Sequence, residues 1–381
     1  MKIIFVADFT PVPKFHNKIH LDGKLAEALI RNLGCRVTWI RTNFSHYLKR
    51  IDPVGNLEFE KFKVLEIQGH PYKNNISISR MLHNILFSLK LIKILYENRD
   101  ADRVISPIPS IEATFITSVM ARLYGIKHEI IVYDKWPDIF IEYSTNGFFK
   151  KIFGKFLYII YKPLLIISLR KSYKIHCVSN EYSKWLEKYT NKNKNILYIG
   201  CNDVSGFESD FNSKIHVVYI GSWGASSNLD LIIKAAKILE GNSNYKFTIA
   251  GRVNEEKIVK ETSNLRVLGW LGESEKIEIM KTADIGLMIY KKNALQSLPN
   301  KIFEYIEYGC FVINTLPGEA EALLRENNFG LTVDPDSPSD LVDAIVKFSK
   351  QNGIAKNSIL RLAHEKFGSK YYDEYVKENY V

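Results

Sequence analysis

The sequence predicts an α/β protein built from two domains, each with a doubly wound parallel sheet. The 381 residues suit two domains of ordinary size. Hydrophobic residues make up 46% and charged residues 25%, which is enough apolar surface for a core in each domain. Short apolar runs alternate with helical patterns along most of the chain, as parallel β-α-β units require. We place the first domain at residues 1–205 and the second at residues 206–366.

The first domain opens with a strand, a helix and a second strand. The strand covers residues 2–7, the helix runs from near Asp22 to a glycine stop at Gly34, and the next strand covers 36–40. Further strands are predicted at 64–67, 104–105, 128–133, 175–178 and 196–200, with helices at 76–96 and 111–124. Ser179 is positioned to cap the helix that follows it. Residues 201–213 read as the linker to the second domain.

Residues 143–180 combine basic and apolar residues without a single Asp or Glu. Lys151, Lys155 and Lys162 fall within a stripe of about 40° on a helix that turns about 100° per residue. This pattern is typical of a basic amphipathic helix on an anionic membrane, and we expect peripheral contact through residues 148–174. A buried core helix with snorkelling lysines is the alternative. Pro163 is expected to kink or divide the helix. No stretch of 18 uncharged apolar residues occurs, so no transmembrane helix is predicted.

Charge and cysteine content narrow the choice of partners. The net charge of +10 favours anionic partners. No zinc-ligand spacing or RNP-like motif is apparent, so nucleic acid is the weaker choice. The four cysteines are far apart in sequence and form no C-x-x-C pair, a pattern that indicates reduced thiols in a cytoplasmic protein.

The second domain repeats the strand–helix pattern and contains one distinctive stretch, residues 296–314. Strands are predicted at 216–221, 245–251, 265–270 and 284–290, and helices at 229–239, 274–280 and 340–348. In the stretch, Pro299 suits a first helical turn, Gly309 suits the residue after the helix, and residues 311–313 suit a buried strand. The helix start beside Lys301 predicts a phosphate site. Glu304 follows within one turn, where its carboxylate could accept hydrogen bonds from a sugar.

Residues 299–309 resemble the Pro-Asn-Lys-x-x-Glu-Tyr-x-x-x-Gly segment of retaining nucleotide-sugar glycosyltransferases of family four, which have the GT-B fold. The resemblance implies two Rossmann-like domains facing across a cleft, with a terminal helix at residues 367–381 packing back on the first domain. It implies that Glu304 binds the donor ribose and that the helix start binds the donor diphosphate. Many members have a second Glu where this chain has Gln296.

The order of strands and glycine loops also resembles the donor domain of that family. The resemblance implies a set of donor contacts from Gly221, Ser222, Gly251, Trp270, Gln296, Pro299, Asn300, Lys301 and Glu304. Many members carry Arg and Lys where this chain has the small polar residues 225–228. Lys301 and Arg252 are then the groups available to neutralise the leaving diphosphate, and with Asp134 they are the catalytic candidates.

Residues 133–138 resemble a Trp-Pro-Glu segment in a subgroup that builds bacterial surface glycans. The segment follows a strand, where ligands bind in open parallel sheets. Asp134 and Asp138 are therefore candidates for acceptor contacts, with Tyr133 beside them. A loop Asp that caps the next turn is the alternative. His20 and Asp22 lie on a loop that could also contact the acceptor. The alternative, at least as well supported, is that Asp22 caps the helix and His20 is solvated.

The expected function is retaining transfer of a hexose or amino-hexose from a nucleotide sugar, with UDP-sugar favoured over GDP-sugar. The acceptor would be a lipid-linked or polysaccharide glycan in the synthesis of bacterial lipopolysaccharide or capsule. No cofactor or metal is expected, and the expected location is cytoplasmic, peripheral on the inner face of the plasma membrane. The alternatives are a nucleotide-sugar epimerase of the same fold, a non-catalytic glycan-binding or scaffolding protein, and a basic nucleic-acid-binding protein.

Overall fold

The computed structural model divides the chain into two compact units. It describes residues 1–13, 19–46, 48–74, 77–142, 148–204, 214–224, 226–252, 261–294, 296–350 and 355–381. Unit 1 comprises Met1–Tyr198 and Tyr372–Val381, and unit 2 comprises Ile199–Tyr371. The predicted boundary between residues 205 and 206 lies outside the described residues.

The described part of unit 1 contains ten strands and the helices that connect them. Its elements are β1 (Lys2–Val6), α1 (Leu21–Leu33), β2 (Arg36–Thr42), β3 (Phe44–Ser45), β4 (Arg50–Ile51), β5 (Leu57–Glu58), β6 (Phe62–Ile67), α2 (Ile78–Glu97), β7 (Arg103–Ile108), α3 (Ile111–Tyr124), β8 (Lys127–Val132), α4 (Ile139–Glu142), α5 (Phe148–Lys171), β9 (Lys174–Cys177), α6 (Asn180–Leu186) and β10 (Lys194–Ile196).

Eight of these strands form one sheet in the order β10-β9-β8-β7-β1-β2-β6-β5, parallel except for β5 at the edge. Helices α2, α3 and α5 pack against one another and against one face of this sheet. Their buried residues form cores with the strands, exemplified by Phe87 of α2 with Ile4 and by Leu157 of α5 with Ile130. The arrangement is the doubly wound α/β layer that the sequence predicts.

Unit 2 has a second, fully parallel sheet. Its elements are β11 (Ile215–Ile220), α7 (Leu229–Ile238), β12 (Tyr245–Ala250), β13 (Leu265–Leu268), α8 (Glu273–Thr282), β14 (Ile285–Met288), α9 (Lys301–Ile306), β15 (Phe311–Asn314), α10 (Glu319–Glu326), β16 (Gly330–Thr332), α11 (Pro338–Lys350) and α12 (Ala355–Phe367). The strand order is β13-β12-β11-β14-β15-β16. A last helix, α13 (Ser369–Tyr380), belongs to unit 1 from Tyr372 onward.

Several helix ends lie where local sequence signals predict them. Gly34 after α1 and Gly125 after α3 have φ angles of 61° and 73°, the left-handed conformation that ends a helix at a glycine. The hydroxyl of Ser179 accepts a 3.2 Å hydrogen bond from the backbone N–H of Tyr182, which confirms the predicted cap. The strand predicted at 196–200 lies instead at Lys194–Ile196.

Two predictions concern helix α5. It runs without interruption from Phe148 to Lys171 with Pro163 inside it, so the proline does not divide the helix. Tyr161 and Leu165, on either side of the proline, are buried in the same core, which holds both halves in place. By length and composition alone, Lys151–Lys171 is also apolar enough to cross a membrane, and 33% of that stretch is buried inside the unit.

Helix α13 is anchored to unit 1 by a buried polar network around Glu129. One carboxylate oxygen of Glu129 accepts a 2.6 Å hydrogen bond from the Tyr380 hydroxyl and contacts His176 Nε2 at 3.0 Å, and the other pairs with Arg103. Burial opposes ionisation, but these partners hold the pKa of Glu129 at about 2. The carboxylate therefore stays charged and keeps its partners satisfied.

We expect Glu129→Gln to destabilise unit 1 by about 3 kcal/mol, because it leaves Arg103 buried without its counter-charge. Tyr380→Phe, which removes one hydrogen bond, should cost about 1 kcal/mol. Because the folded pKa lies below the ordinary value of 4.5, the contribution of Glu129 is present above that pH and is lost as pH falls towards 2. Urea unfolding at several pH values measures both effects, and equal stability of the wild type and Glu129→Gln at pH 7 would contradict the network.

Helix α9 is positioned by the packing of one ring. Tyr305 is 1% exposed, and its ring lies against Gly286 of β14. A Cβ atom added at Gly286 would lie 2.7 Å from the Cδ2 atom of that ring and closer still to other ring atoms. The Tyr305 hydroxyl donates to the Leu287 carbonyl at 3.2 Å and accepts from the Ile220 N–H at 3.1 Å. These contacts fix α9 against β11 and β14.

We expect Gly286→Ala to lower the stability of unit 2 by about 1–3 kcal/mol, since the added methyl group must displace the Tyr305 ring. Gly241→Ala is the matched control, because a Cβ at Gly241 meets no atom within 4 Å. It should change stability by less than about 0.5 kcal/mol. The urea midpoint of each variant decides, and an unchanged midpoint for Gly286→Ala would contradict the packing.

Candidate functional site

The carboxyl ends of three strands of unit 2 meet in one set of glycine turns. The Gly221 N–H donates to the Ala250 carbonyl at 2.9 Å, and the Gly251 N–H donates to the Gly269 carbonyl at 3.0 Å. Gly251 has a φ of 144°, and a Cβ there would lie 2.6 Å from the backbone carbon of Gly221. Only glycine allows this close approach of backbone to backbone. The edge is thus open at the place where open α/β sheets bind ligands.

The side chain of Lys301 lies at the same turn. A Cβ at Gly221 would lie 2.6 Å from the Lys301 Cε atom, so the missing side chain makes room for the lysine. The Lys301 ammonium lies 3.9 Å from the ring centroid of Tyr219 and 5.9 Å from that of Tyr290. No carboxylate pairs with it among the described residues. Its positive charge is therefore available to an anionic ligand beside Gly221.

The start of α9 is less open than the sequence predicts. The helix has six residues, Lys301–Ile306. The N–H groups of Ile302 and Phe303 already donate to the Pro299 and Asn300 carbonyls, at 3.2 Å and 3.1 Å. Because these two N–H groups are used within a tight first turn, they are not free to bind a phosphate. The ammonium of Lys301 is the better-supported anion-binding group.

Glu304 is held by an ion pair. The Lys276 ammonium of α8 lies 2.7 Å from its carboxylate, and both side chains are about one-fifth exposed. The carboxylate is therefore partly accessible, and it is oriented before any ligand arrives. No sequence pattern indicates Lys276 as the partner of Glu304, because 28 residues separate the two and no helical or strand spacing relates them.

Several other predicted donor residues lie on the loops around the turns. The Arg252 guanidinium stacks 4.7 Å from the ring centroid of Trp270, which is 56% exposed. The backbone N–H of Trp223 donates to the Arg252 carbonyl at 3.1 Å, which joins the Ser222 loop to the loop after β12. The exposed indole offers a flat surface on which a nucleotide base could stack.

Small polar residues stand where many family members have Arg and Lys. Ala225 lies outside the described residues. Ser227 accepts a 3.0 Å hydrogen bond from the Tyr219 hydroxyl, and Asn228 donates to the Pro335 carbonyl at 2.7 Å. The Gln296 amide nitrogen donates weakly to the Ser226 hydroxyl, at 3.4 Å, while its buried carbonyl oxygen has no partner among the described residues. The Gln296 carbonyl is thus an acceptor able to bind a ligand hydroxyl.

In unit 1 the structure brings Tyr133 together with Asp22. The Tyr133 hydroxyl donates to one carboxylate oxygen of Asp22, and the Thr10 hydroxyl donates to the other at 2.8 Å. Burial raises the pKa of Asp22 to about 6, against the opposing effect of these two hydrogen bonds. Asp22 does not cap α1, because His20 is the N-cap residue of that helix.

Further buried carboxyl groups lie at the same end of the sheet. Burial raises the pKa of Asp8 to about 6, and it raises the pKa values of Glu112 and Asp134 as well. The charge of Arg80, on the first turn of α2, lowers the pKa of each of these three groups. The Arg80 guanidinium also lies 4.8 Å from the ring centroid of Trp136. One oxygen of Asp8 is buried without a partner among the described residues.

Asp138 has a different environment. Its carboxylate binds the Trp185 indole N–H at 2.6 Å, the Lys188 ammonium and the Tyr189 hydroxyl. These donors on and after α6 hold its pKa below the ordinary value, although burial opposes them. Acceptor binding by Asp138 stays a prediction, and it would require the carboxylate to give up some of these contacts.

The described part of the chain offers little support for a metal site. No group of three or more His, Cys, Asp or Glu side chains there could hold a metal ion. Two Asp-x-Asp sequences occur. Asp100 and Asp102 both bind Lys2, and Asp334 accepts from the Asp336 N–H at 2.7 Å within a turn. Independence from metal stays a prediction.

Four residues near the predicted site residues do not stand out in the sequence. They are Lys276 in unit 2 and Asp8, Glu112 and Arg80 in unit 1. Asp8 follows a predicted strand directly, which is the position that could have indicated it. Arg80 was apparent only as a charge on a helical pattern. Its neighbours come from three other segments of the chain, and no local spacing relates them to it.

Residues 214–351 match the family model described as "Glycosyl transferases group 1". A search of curated protein sequences finds no match to this chain. Among solved structures, the chain is similar to sucrose-phosphate synthase from Thermosynechococcus elongatus, with a TM-score of 0.68 and 11% identity over 100% of this chain and 98% of that one.

Two further solved structures have the same fold. The HepE protein from Anabaena in complex with UDP and glucose gives a TM-score of 0.65 and 12% identity over 100% of this chain and 99% of that one. The catalytic domain of starch synthase IV from Arabidopsis thaliana bound to ADP and acarbose gives 0.67 and 12%, over 99% and 98%. The whole chain therefore has the GT-B fold of glycosyltransferases, with two Rossmann-like domains, and residues 214–351 match the glycosyl transferases group 1 family.

Proposed function

We propose that the protein is a retaining glycosyltransferase that moves a hexose or amino-hexose from a UDP-sugar to a glycan acceptor. The observation that supports it best is the Lys301 ammonium, which lies beside the Gly221 turn without a carboxylate partner among the described residues. This turn is part of the segment that matches the family model. An anionic diphosphate placed there would lie beside a fixed positive charge and against the backbone of the Gly221 turn.

The surrounding groups suit the other parts of a nucleotide sugar. The Trp270 ring can stack on the base, and the Glu304 carboxylate, oriented by Lys276, can accept hydrogen bonds from the ribose. The carbonyl oxygen of Gln296 can accept a hydrogen bond from the sugar. UDP is our choice of nucleotide, in part because HepE, a protein of the same fold, is complexed with UDP and glucose. The ADP bound to starch synthase IV makes ADP the first competitor to test.

In the proposed reaction the bond between the anomeric carbon and the diphosphate oxygen breaks, and the acceptor oxygen forms a new bond to that carbon on the same face. The proton of the acceptor hydroxyl passes to the leaving phosphate. Lys301 stabilises the negative charge that grows on the diphosphate as it departs. Arg252 is the second candidate for this task. No metal is assigned a step.

The acceptor in this proposal is a growing glycan on a membrane lipid carrier, for a bacterial surface polysaccharide. The buried carboxyl groups of unit 1 support a hydroxyl-rich acceptor, because carboxylates accept hydrogen bonds from several hydroxyls at once. Asp22, Tyr133 and Asp134 are the contacts we assign, with His20 at the start of α1. The proposed location is the inner face of the plasma membrane.

We expect UDP to stabilise the wild type in a thermal-shift assay, and Lys301→Ala to weaken UDP binding by about tenfold to a hundredfold, the effect of losing one charged hydrogen bond. Glu304→Ala should lower affinity by a similar factor. Lys292→Ala is the matched control, since it removes an exposed lysine of the same unit and should bind UDP as the wild type does. GDP, ADP, CDP and dTDP complete the panel. A folded wild type that no nucleotide stabilises would refute the donor site.

We expect Asp22→Asn to reduce the rate with a glycan acceptor by about tenfold or more while the UDP shift stays unchanged. Asp343→Asn, an exposed carboxylate on α11, is the control. Because the folded pKa of Asp22 is about 6 against an ordinary value of 3.8, ionising it costs stability as pH rises from about 4 to about 6, by roughly 3 kcal/mol. The asparagine cannot ionise, so this fall in stability should shrink in the variant. Full acceptor turnover by Asp22→Asn would contradict the assignment.

The same assays separate the alternatives. An epimerase of this fold would convert its UDP-sugar with no acceptor present. A binding or scaffolding protein would be stabilised by a nucleotide sugar and would neither hydrolyse nor transfer it. The small polar residues 226–228 give this second alternative its specific support, because the family's usual cations are missing there.

A further inference from the structure

Helix α2 exposes a stripe of large apolar side chains while it buries several polar ones, which is unusual for a helix of a water-soluble domain. Among its buried residues are His83, Asn84 and Ser88, together with Phe87 and Leu91. Its exposed face instead carries large apolar side chains, which are Ile78, Leu82, Ile85, Leu86, Leu89 and Tyr96. These six lie within about 100° of the helix circumference at about 100° per residue. A stripe of this kind indicates a surface that meets something other than water.

Helix α5 shows a second apolar stripe with a basic edge. Its exposed large side chains include Phe148, Ile152, Phe156, Ile159, Ile160 and Ile167. Lys151 and Lys155 are exposed along one side of the stripe. The opposite side of the helix is core, with Leu157, Tyr161 and Leu165 buried. Crossing a membrane would therefore pull core side chains out of the unit, whereas lying on the membrane surface leaves them in place.

The two helices belong to one layer of unit 1. Both pack against α3, and Met81 of α2 lines the same small cavity as Leu157 of α5. Between them α3 adds the exposed side chains of Val119 and Leu123. The stripes therefore form a single apolar surface on one side of the unit, which we call the α2–α5 surface.

Charge selects the occupant of this surface. The exposed basic residues on and around it include Lys90 of α2, Arg122 of α3 and the lysines of α5. Lys93 of α2 lies within the stripe, and its ammonium pairs with Glu97 at 3.8 Å. In the three helices the acidic residues are Glu97 at the end of α2 and the buried Glu112. A second copy of this chain, docked face to face, would bring like charges together. An anionic lipid bilayer offers both an apolar interior and negative headgroups.

We propose that α2 and α5 together form a docking surface for an anionic lipid bilayer, with α2 contributing as much apolar contact as α5. This inference deepens the proposed function, on which its biological role depends, because it brings a lipid-linked acceptor to the enzyme. Both helices reach the end of the sheet where Asp22 and Tyr133 lie, because Arg80 of α2 and Leu157 of α5 line one cavity with Trp136. Ile78 and Phe148, each 74% exposed, are the first residues of the two helices. A bilayer on the surface thus reaches the acceptor side of unit 1.

The test is flotation of the full chain with vesicles, without donor or acceptor. The vesicles are phosphatidylcholine alone and phosphatidylcholine mixed with phosphatidylglycerol. The α2 variant is Leu82→Ser/Ile85→Ser/Leu89→Ser, and the α5 variant is Ile152→Ser/Phe156→Ser/Ile159→Ser. The control is Ile51→Ser/Phe59→Ser/Ile238→Ser, whose exposures of 40% to 59% match the 42% to 56% of the α2 set. The thermal melting transition of each variant without ligand shows that it is folded, and the shift of that transition with UDP reports on the donor site separately.

We expect the wild type to bind the anionic vesicles and to leave them at high salt. Both helix variants should lower the partition coefficient by about tenfold or more, and the control should not. Lys151→Gln/Lys155→Gln should reduce the preference for phosphatidylglycerol. The proposal is overturned if the wild type does not bind anionic vesicles, or if the α2 variant binds them as strongly as the wild type does. It is equally overturned if light scattering finds a lipid-free dimer that the α2 variant dissociates, since a second copy then covers the surface.

Discussion

The proposed donor site depends on how Tyr305 is buried. The ring fills the space left by Gly286, and the hydroxyl joins the Ile220 N–H to the Leu287 carbonyl. Since Ile220 precedes the Gly221 turn directly, the same residue fixes both the turn and helix α9. Lys301 and Glu304 lie four and one positions before Tyr305 on that short helix. Their positions relative to the turn are therefore set by packing, before any ligand is bound.

Features that depend on neighbours in sequence could be predicted, whereas those that depend on distant residues could not. Gly34, Gly125 and Ser179 end or begin helices through their own conformation and hydrogen bonding, so their roles were visible in the sequence. The doubly wound order followed from alternating patterns in the same way. The partners of Glu304 and of the carboxyl groups around Arg80 come from separate elements, and only the folded chain brings them together.

The two units treat charge in opposite ways. In unit 2 a half-buried cation, Lys301, is held over an aromatic ring with no carboxylate paired to it in the described chain, which suits an anionic ligand. In unit 1 burial raises the pKa values of Asp8 and Asp22, and Arg80 offsets only part of that cost for Asp8. Groups kept at such a cost to stability are often functional. By contrast, Glu129 has a lowered pKa and a full set of partners, which is the pattern of a structural ion network.

The same reasoning explains why helix α2 presents its apolar side outward. Its polar residues face inward because they have partners there: Asn84 donates to Glu112, and His83 Nδ1 lies 2.7 Å from the His70 carbonyl oxygen. These polar groups have hydrogen-bond partners inside the unit. If the helix were rotated to bury its leucines, the polar groups would lose those partners, at a cost of about 1–3 kcal/mol for each group. The outward apolar stripe thus follows from the polar contacts that α2 makes inside unit 1. The proposed membrane docking and the proposed acceptor binding would then use the two faces of one helix.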